Sequence, residues 1–231
     1  MIDWTERLLL GLDERELVEM PSLSCRVHQG LVEPLTFLQQ RAASAGFILK
    51  VASSYRSFER QLLIWNNKAR GLRPVLNDAG VALDINLLSA RDKVFAILRW
   101  SALPGASRHH WGTDIDVYDG SRIDDNYQLQ LTVEETQGNG PFAEFHYWLS
   151  DELAMCSSDF YHPDFYRPYA QDRGGIAPEP WHLSYAPLAN AFAQQLTLPL
   201  LRQQLEQTDL ELKHTVLEHL DEIYQRFIRV E

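Results

Sequence analysis

Ser107-Arg108-His109-His110-Trp111-Gly112-Thr113-Asp114-Ile115-Asp116 is the stretch around which the chain is organised, answered much later by Glu179-Pro180-Trp181-His182. Together the two supply imidazoles, carboxylates and a spare glutamate. A hydrolytic zinc site needs that set: three protein ligands, an open position and a base. The first stretch reads as a loop entering a strand. Pro104-Gly105 breaks the preceding helix, and residues 113–118 alternate in a β-prone run that ends at the turn Asp119-Gly120. On such a strand Asp114 and Asp116 share one face, and Ile115 and Val117 share the other. An apolar back under an acidic front suits a strand whose outer side lines a cleft. Gly112, between the histidines and the strand, lets the backbone bend or approach a neighbour closely. Residue types alone leave His109 and His110 as competitors, and likewise Asp114 and Asp116.

The pattern Ser107-x-His109-x-x-Gly112-x-x-x-Asp116, followed by Glu179-Pro180-Trp181-His182, resembles the zinc D-alanyl-D-alanine carboxypeptidases of the VanY type. Their superfamily also holds D-Ala-D-Ala dipeptidases and is related in fold to the Hedgehog signalling domain. Ser53-Ser54-Tyr55-Arg56-Ser57 with Gln61 is similar to the family's upstream Tyr-Arg-Ser…Gln element. The three motifs stand in family order over roughly residues 30–187. The resemblance implies an α+β fold, a small antiparallel sheet flanked by helices. It implies His109, Asp116 and His182 as ligands of Zn2+, which chooses between the competitors above. It further implies Glu179 as general base, Arg56 as the group that stabilises the substrate carbonyl, and Gln61 and Ser107 as substrate-holding residues. The implied substrate is a peptidoglycan stem peptide or muropeptide that loses a terminal D-alanine. Pro180 is similar to the carboxypeptidase branch rather than the dipeptidase branch. Other readings to weigh are a dipeptidase or endopeptidase of the same fold, a silent peptidoglycan-binding module, and a non-haem iron oxygenase. Intact Arg56 and Glu179 count against the silent module. The seven-residue step from His109 to Asp116 does not fit the oxygenase ligand pattern.

The 231 residues, 45% hydrophobic and 11% aromatic, suffice for a packed core. Residues 1–187 are expected to form the peptidase domain and 188–231 a helical C-terminal extension packed on it. The net charge of −11, without a Lys/Arg-rich block, argues against nucleic acid or an anionic membrane as partner. No apolar run is long enough to span a bilayer, and oligomeric state is left open. Residues 1–20 do not read as a signal peptide, so a cytoplasmic location is expected, with a mature periplasmic form as the alternative. Cys25 and Cys156 lie outside any C-x-x-C pair, and read as small buried hydrophobes ahead of a disulfide.

Helices are expected at about 4–12, 33–45, 58–69, 89–102 and 141–155, and a strand at 47–51 that delivers Arg56 to a strand-to-helix junction. Residues 72–87 and 121–140 read as loops that rim the cleft. His28, His146, His162, His214 and His219 read as structural histidines. Thr208 with Glu211 reads as a capping box opening one continuous amphipathic helix over 208–229, its apolar face buried against the domain and away from the cleft.

Overall fold

The computed structural model describes residues 3–124, 126–155 and 164–229; Cys156 and His162 lie outside them. Helix α1 (Trp4–Leu9) opens with a capping box between Asp3 and Glu6. A two-stranded ribbon follows, β1 (Leu17–Met20) against β2 (Cys25–His28). Then come α2 (Val32–Ser44), β3 (Leu49–Ser53), α3 (Phe58–Ala69) and α4 (Ala90–Leu98). Ser57 and Ser89 cap α3 and α4 through their hydroxyls, holding backbone N–H groups the first turn leaves unpaired. The chain continues with β4 (Asp114–Asp119), α5 (Ala143–Ala154), β5 (Phe165–Tyr166) and β6 (His182–Tyr185). It ends in α6 (Ala186–Gln195), α7 (Leu198–Glu206), α8 (Lys213–Glu218), α9 (Leu220–Ile223) and a π-helical turn, Tyr224–Ile228.

Strands β3, β4, β6 and β5 form an antiparallel sheet in that order, so the fold is α+β as the sequence implies. Ile115, Val117 and Leu183 point back into a core with Leu35 and Leu38 of α2 and Phe145 and Leu149 of α5. A second core lies among the helices, with Trp65, Ile97, Trp111, Leu201, Leu205 and Leu220. The front of the sheet looks into the cleft between these two halves. Cys25 is buried, and burial pushes its thiol up to about 11.

The tail departs from the expected single helix. Thr208 does not cap: its hydroxyl donates to the Gln204 carbonyl at 2.8 Å, finishing α7 instead. Residues 209–211 are held by α3. Trp65 Nε1 donates to the Glu211 carbonyl, Asn66 Nδ2 donates to the Asp209 carbonyl, and the Glu211 N–H donates to Asn66 Oδ1. Those bonds satisfy backbone groups that a helix would otherwise claim, so the helix begins only after Leu212, which sits at φ +62°. It breaks again at His219. The apolar stripe is nevertheless buried, Val216, Leu220, Ile223 and Phe227 being at most 6% exposed. None of residues 208–229 lines the cleft, but the last turn touches the segment that leads to it. Arg226 donates to the Gly174 carbonyl, and a Cβ on Gly175 would stand 1.9 Å from the Arg226 carbonyl oxygen. The last turn therefore braces the segment that leads to Glu179.

Candidate metal centre and active-site cleft

Register brings the two strand-borne residues of the site together. Asp116 on β4 pairs directly with His182 on β6, and cross-strand partners are near neighbours on one sheet face. His109 arrives from the short 3₁₀ turn Arg108–Trp111 just upstream. Gly112 ends that turn at φ +67°, where a Cβ would meet the His28 N–H at 2.7 Å; the loop reaches its position only with glycine there. His109 Nε2 lies 3.4 Å from Asp116 Oδ2, and His182 Nδ1 lies 3.2 Å from Asp116 Oδ1. Asp116 Oδ1 is buried and has no hydrogen-bond partner among the described residues; the His182 contact is close but not in hydrogen-bonding geometry. Ligands on a tetrahedral zinc stand about 3.3 Å apart, as bonds of about 2.0–2.1 Å require. The donor set and its spacing therefore fit such an ion, and one donor atom from each of the three residues lies within 4.8 Å of the others.

Electrostatics point the same way. Burial alone would raise the Asp116 carboxyl, but His109 and His182 hold it far below the usual carboxylate range. Burial alone would lower His182, yet Asp114, Asp116 and Glu179 push it well above an ordinary histidine. Three acidic groups around one imidazole draw a cation to that spot. Glu179 Oε2 stands 3.3 Å from His182 Nδ1 and its side chain is 16% exposed, opening on the cleft.

One residue supports both histidines, and the sequence had offered it only as a competitor for Asp116. The backbone carbonyl of Asp114 is 3.2 Å from His109 Nδ1, and its Oδ1 is 3.0 Å from His182 Nε2. Each acceptor calls for an N–H on the facing ring nitrogen, so in the neutral rings that a metal requires, the lone pairs of His109 Nε2 and His182 Nδ1 face Asp116. Asp114 is itself held ionised against burial by Arg108, whose Nε donates to Oδ1 at 2.7 Å, and by His182. Arg108 also donates to Ser184 and Tyr166. His110, the other competitor, turns away. Its Nε2 accepts the Gly105 N–H and its Nδ1–H donates to the Arg56 carbonyl. Burial keeps it neutral, lowering it to about 3.

Arg56 sits at the β3–α3 junction as expected. Its N–H donates to the His109 carbonyl at 3.0 Å, and its guanidinium donates to Gln61 Oε1 and Ser53 Oγ. Burial lowers it, while Asp116 and Glu179 favour its charge. Gln61 is fully buried and also donates to the Ala102 carbonyl, and it is not among the residues lining the cleft. Ser107 lines the cleft, a cavity of about 280 Å³, with Arg56, His109, Asp116, Glu179 and His182. Residues 130–131 contribute to the wall, as does Leu76, placing both expected loops at the rim. Trp181 and Tyr169 complete the floor, Tyr169 edge-on to His182 with ring centroids 4.9 Å apart.

His109, Asp116 and His182 could together hold a metal ion, and Glu179 and Arg56 line the same cleft. The family model described as VanY, D-alanyl-D-alanine carboxypeptidase, matches residues 24–188. The chain belongs to that family, and is a peptidase of the D-alanyl-D-alanine carboxypeptidase kind. Two uncharacterized proteins of Haemophilus influenzae are similar in sequence. One is 48% identical over 102 residues, 43% of this chain and 70% of its own length. The other is 32% identical over 128 residues, 54% of this chain and 92% of its own length. Among solved structures, a vancomycin-resistance D,D-pentapeptidase VanY in complex with Zn(II) is 22% identical at a TM-score of 0.48, over 87% of this chain and 89% of that one. VanYB in complex with D-alanine-D-alanine is 21% identical at 0.49, over 84% and 90%.

Proposed function

We propose that the protein is a zinc-dependent carboxypeptidase that removes the terminal D-alanine from peptidoglycan stem peptides. The observation that carries this reading is the buried Asp116 Oδ1, without a hydrogen bond among the described residues, beside two imidazoles whose far nitrogens are both tied to Asp114. His109, Asp116 and His182 would hold the ion. Zinc bound there supplies Lewis-acid polarisation of the peptide carbonyl and a water made acidic near neutral pH. Glu179, at the open side, takes the proton of the attacking water and hands it to the leaving D-alanine nitrogen. Arg56, held by Gln61 and Ser53, faces the charge that grows on the carbonyl oxygen, an interaction strongest in the transition state. Ser107, its hydroxyl without a hydrogen-bond partner among the described residues, binds the substrate backbone in the cleft.

Zinc-loaded protein incubated with a peptide ending in D-Ala-D-Ala should release D-alanine, and Glu179→Ala should slow release by about 10²–10⁴-fold while keeping zinc. Release unchanged by that substitution would defeat the role given to Glu179.

A further inference from the structure

The chain carries a net charge of −11, so a substrate ending in a carboxylate meets an unfavourable field on approach. The cleft itself is different. Two cations besides Arg108 line it, Arg56 and Lys68. Arg108 is neutralised by Asp114, and Arg56 is fixed by neutral acceptors beside Glu179 and Asp116. Lys68, in the last turn of α3, has neither a hydrogen bond nor an ion pair from its side chain among the described residues, although it is only partly exposed. Burial lowers its ammonium to about 8, and Arg73 and Arg56 add to that while Glu179 opposes it. A partly buried, unpaired ammonium is costly to keep. It lines the same cavity as Arg56, Glu179 and the His109–Asp116–His182 cluster.

We infer that Lys68 is the anchor for the substrate's C-terminal carboxylate, and that this contact makes the enzyme an exopeptidase selective for a free terminal acid. The inference rests on the reading of function above and adds its specificity. In a carboxypeptidase the carboxylate lies one residue beyond the scissile bond. With Arg56 committed to the scissile carbonyl, a second cation would favour the terminal carboxylate, and Lys68 is the cleft cation without a partner among the described residues. An endopeptidase, whose substrate continues past this point, has no use for an unpaired ammonium there.

The test compares a peptide ending in D-Ala-D-Ala as the free acid with the same peptide as its C-terminal amide, using the zinc-loaded full chain. The wild type should prefer the acid by about 10- to 100-fold in kcat/KM, expressed mainly in KM. Lys68→Met and Lys68→Gln should collapse that ratio toward one, and Lys68→Arg should restore most of it. Zinc content and melting temperature identify any variant that has merely failed to fold. Wild-type preference that survives in folded Lys68→Met or Lys68→Gln would overturn the inference while leaving the proposed function standing. A wild type that cleaves neither peptide would instead bring down the functional reading, and this inference with it.

Discussion

Asp114 shows how much a single carboxylate can do without touching substrate. It fixes the ring orientation of both histidines, and groups in that position typically change metal affinity by about 10- to 100-fold when removed. Asp114→Asn keeps the shape but weakens the acceptor, so zinc affinity measured by chelator competition should fall by about 10-fold. An unchanged affinity would show that the two hydrogen bonds do not orient the ligands. Asp114→Ala should also lower the melting temperature, because it strands Arg108, which is 5% exposed, without its counter-charge. The sequence placed Asp114 on the correct strand face, yet its role depends on pairing with residues about 70 positions away, which alternation does not reveal. His110 was equally illegible, since the Gly105 N–H it accepts becomes a partner only once the loop has folded. His146 yields a prediction of another kind. Burial first, then Arg167, lowers it to about 3, against about 6.5 in the unfolded chain. The unfolded state therefore binds the extra proton, and stability present above pH 6.5 is lost as pH falls toward 3, by up to about 1.4 kcal/mol per pH unit. Equilibrium urea titrations across that window should show the loss, and His146→Gln should reduce it, the remainder coming from groups such as His110 that burial lowers likewise.

At the level of elements, the helices and strands whose signals are local were readable. Ser57 announces α3 by its capping chemistry, and 113–118 announces β4 by its alternation. The tail misled because its signal was also local. Thr208 and Glu211 have capping-box spacing, but Trp65 and Asn66 of α3 claim the backbone of 209–211 first. Asn66 bridges both ends of that segment and is 9% exposed, so Asn66→Ala leaves two backbone groups unsatisfied. The expected cost is about 1–3 kcal/mol, seen as a fall of several degrees in melting temperature. A variant as stable as the wild type would mean that residues 209–211 hold their shape unaided.

Across the whole molecule, the site is a product of two half-cores meeting. The sheet presents Asp116 and His182, while the helical half presents Arg56 and Lys68, and the last turn braces the approach to Glu179 through Gly174 and Gly175. Each of Val216, Leu220, Ile223 and Phe227 contributes roughly 1.5–3 kcal/mol by its burial, so removing 208–231 should leave a chain that unfolds or aggregates, as thermal melts and gel filtration would show. Equal stability after truncation would refute the tail's place in the core. Crystals grown with zinc and measured across the zinc absorption edge would show the metal centre itself. One anomalous peak is expected, bounded by His109 Nε2, His182 Nδ1 and the Asp116 carboxylate. A map with no peak there at saturating zinc, or a peak held by other residues, would contradict it.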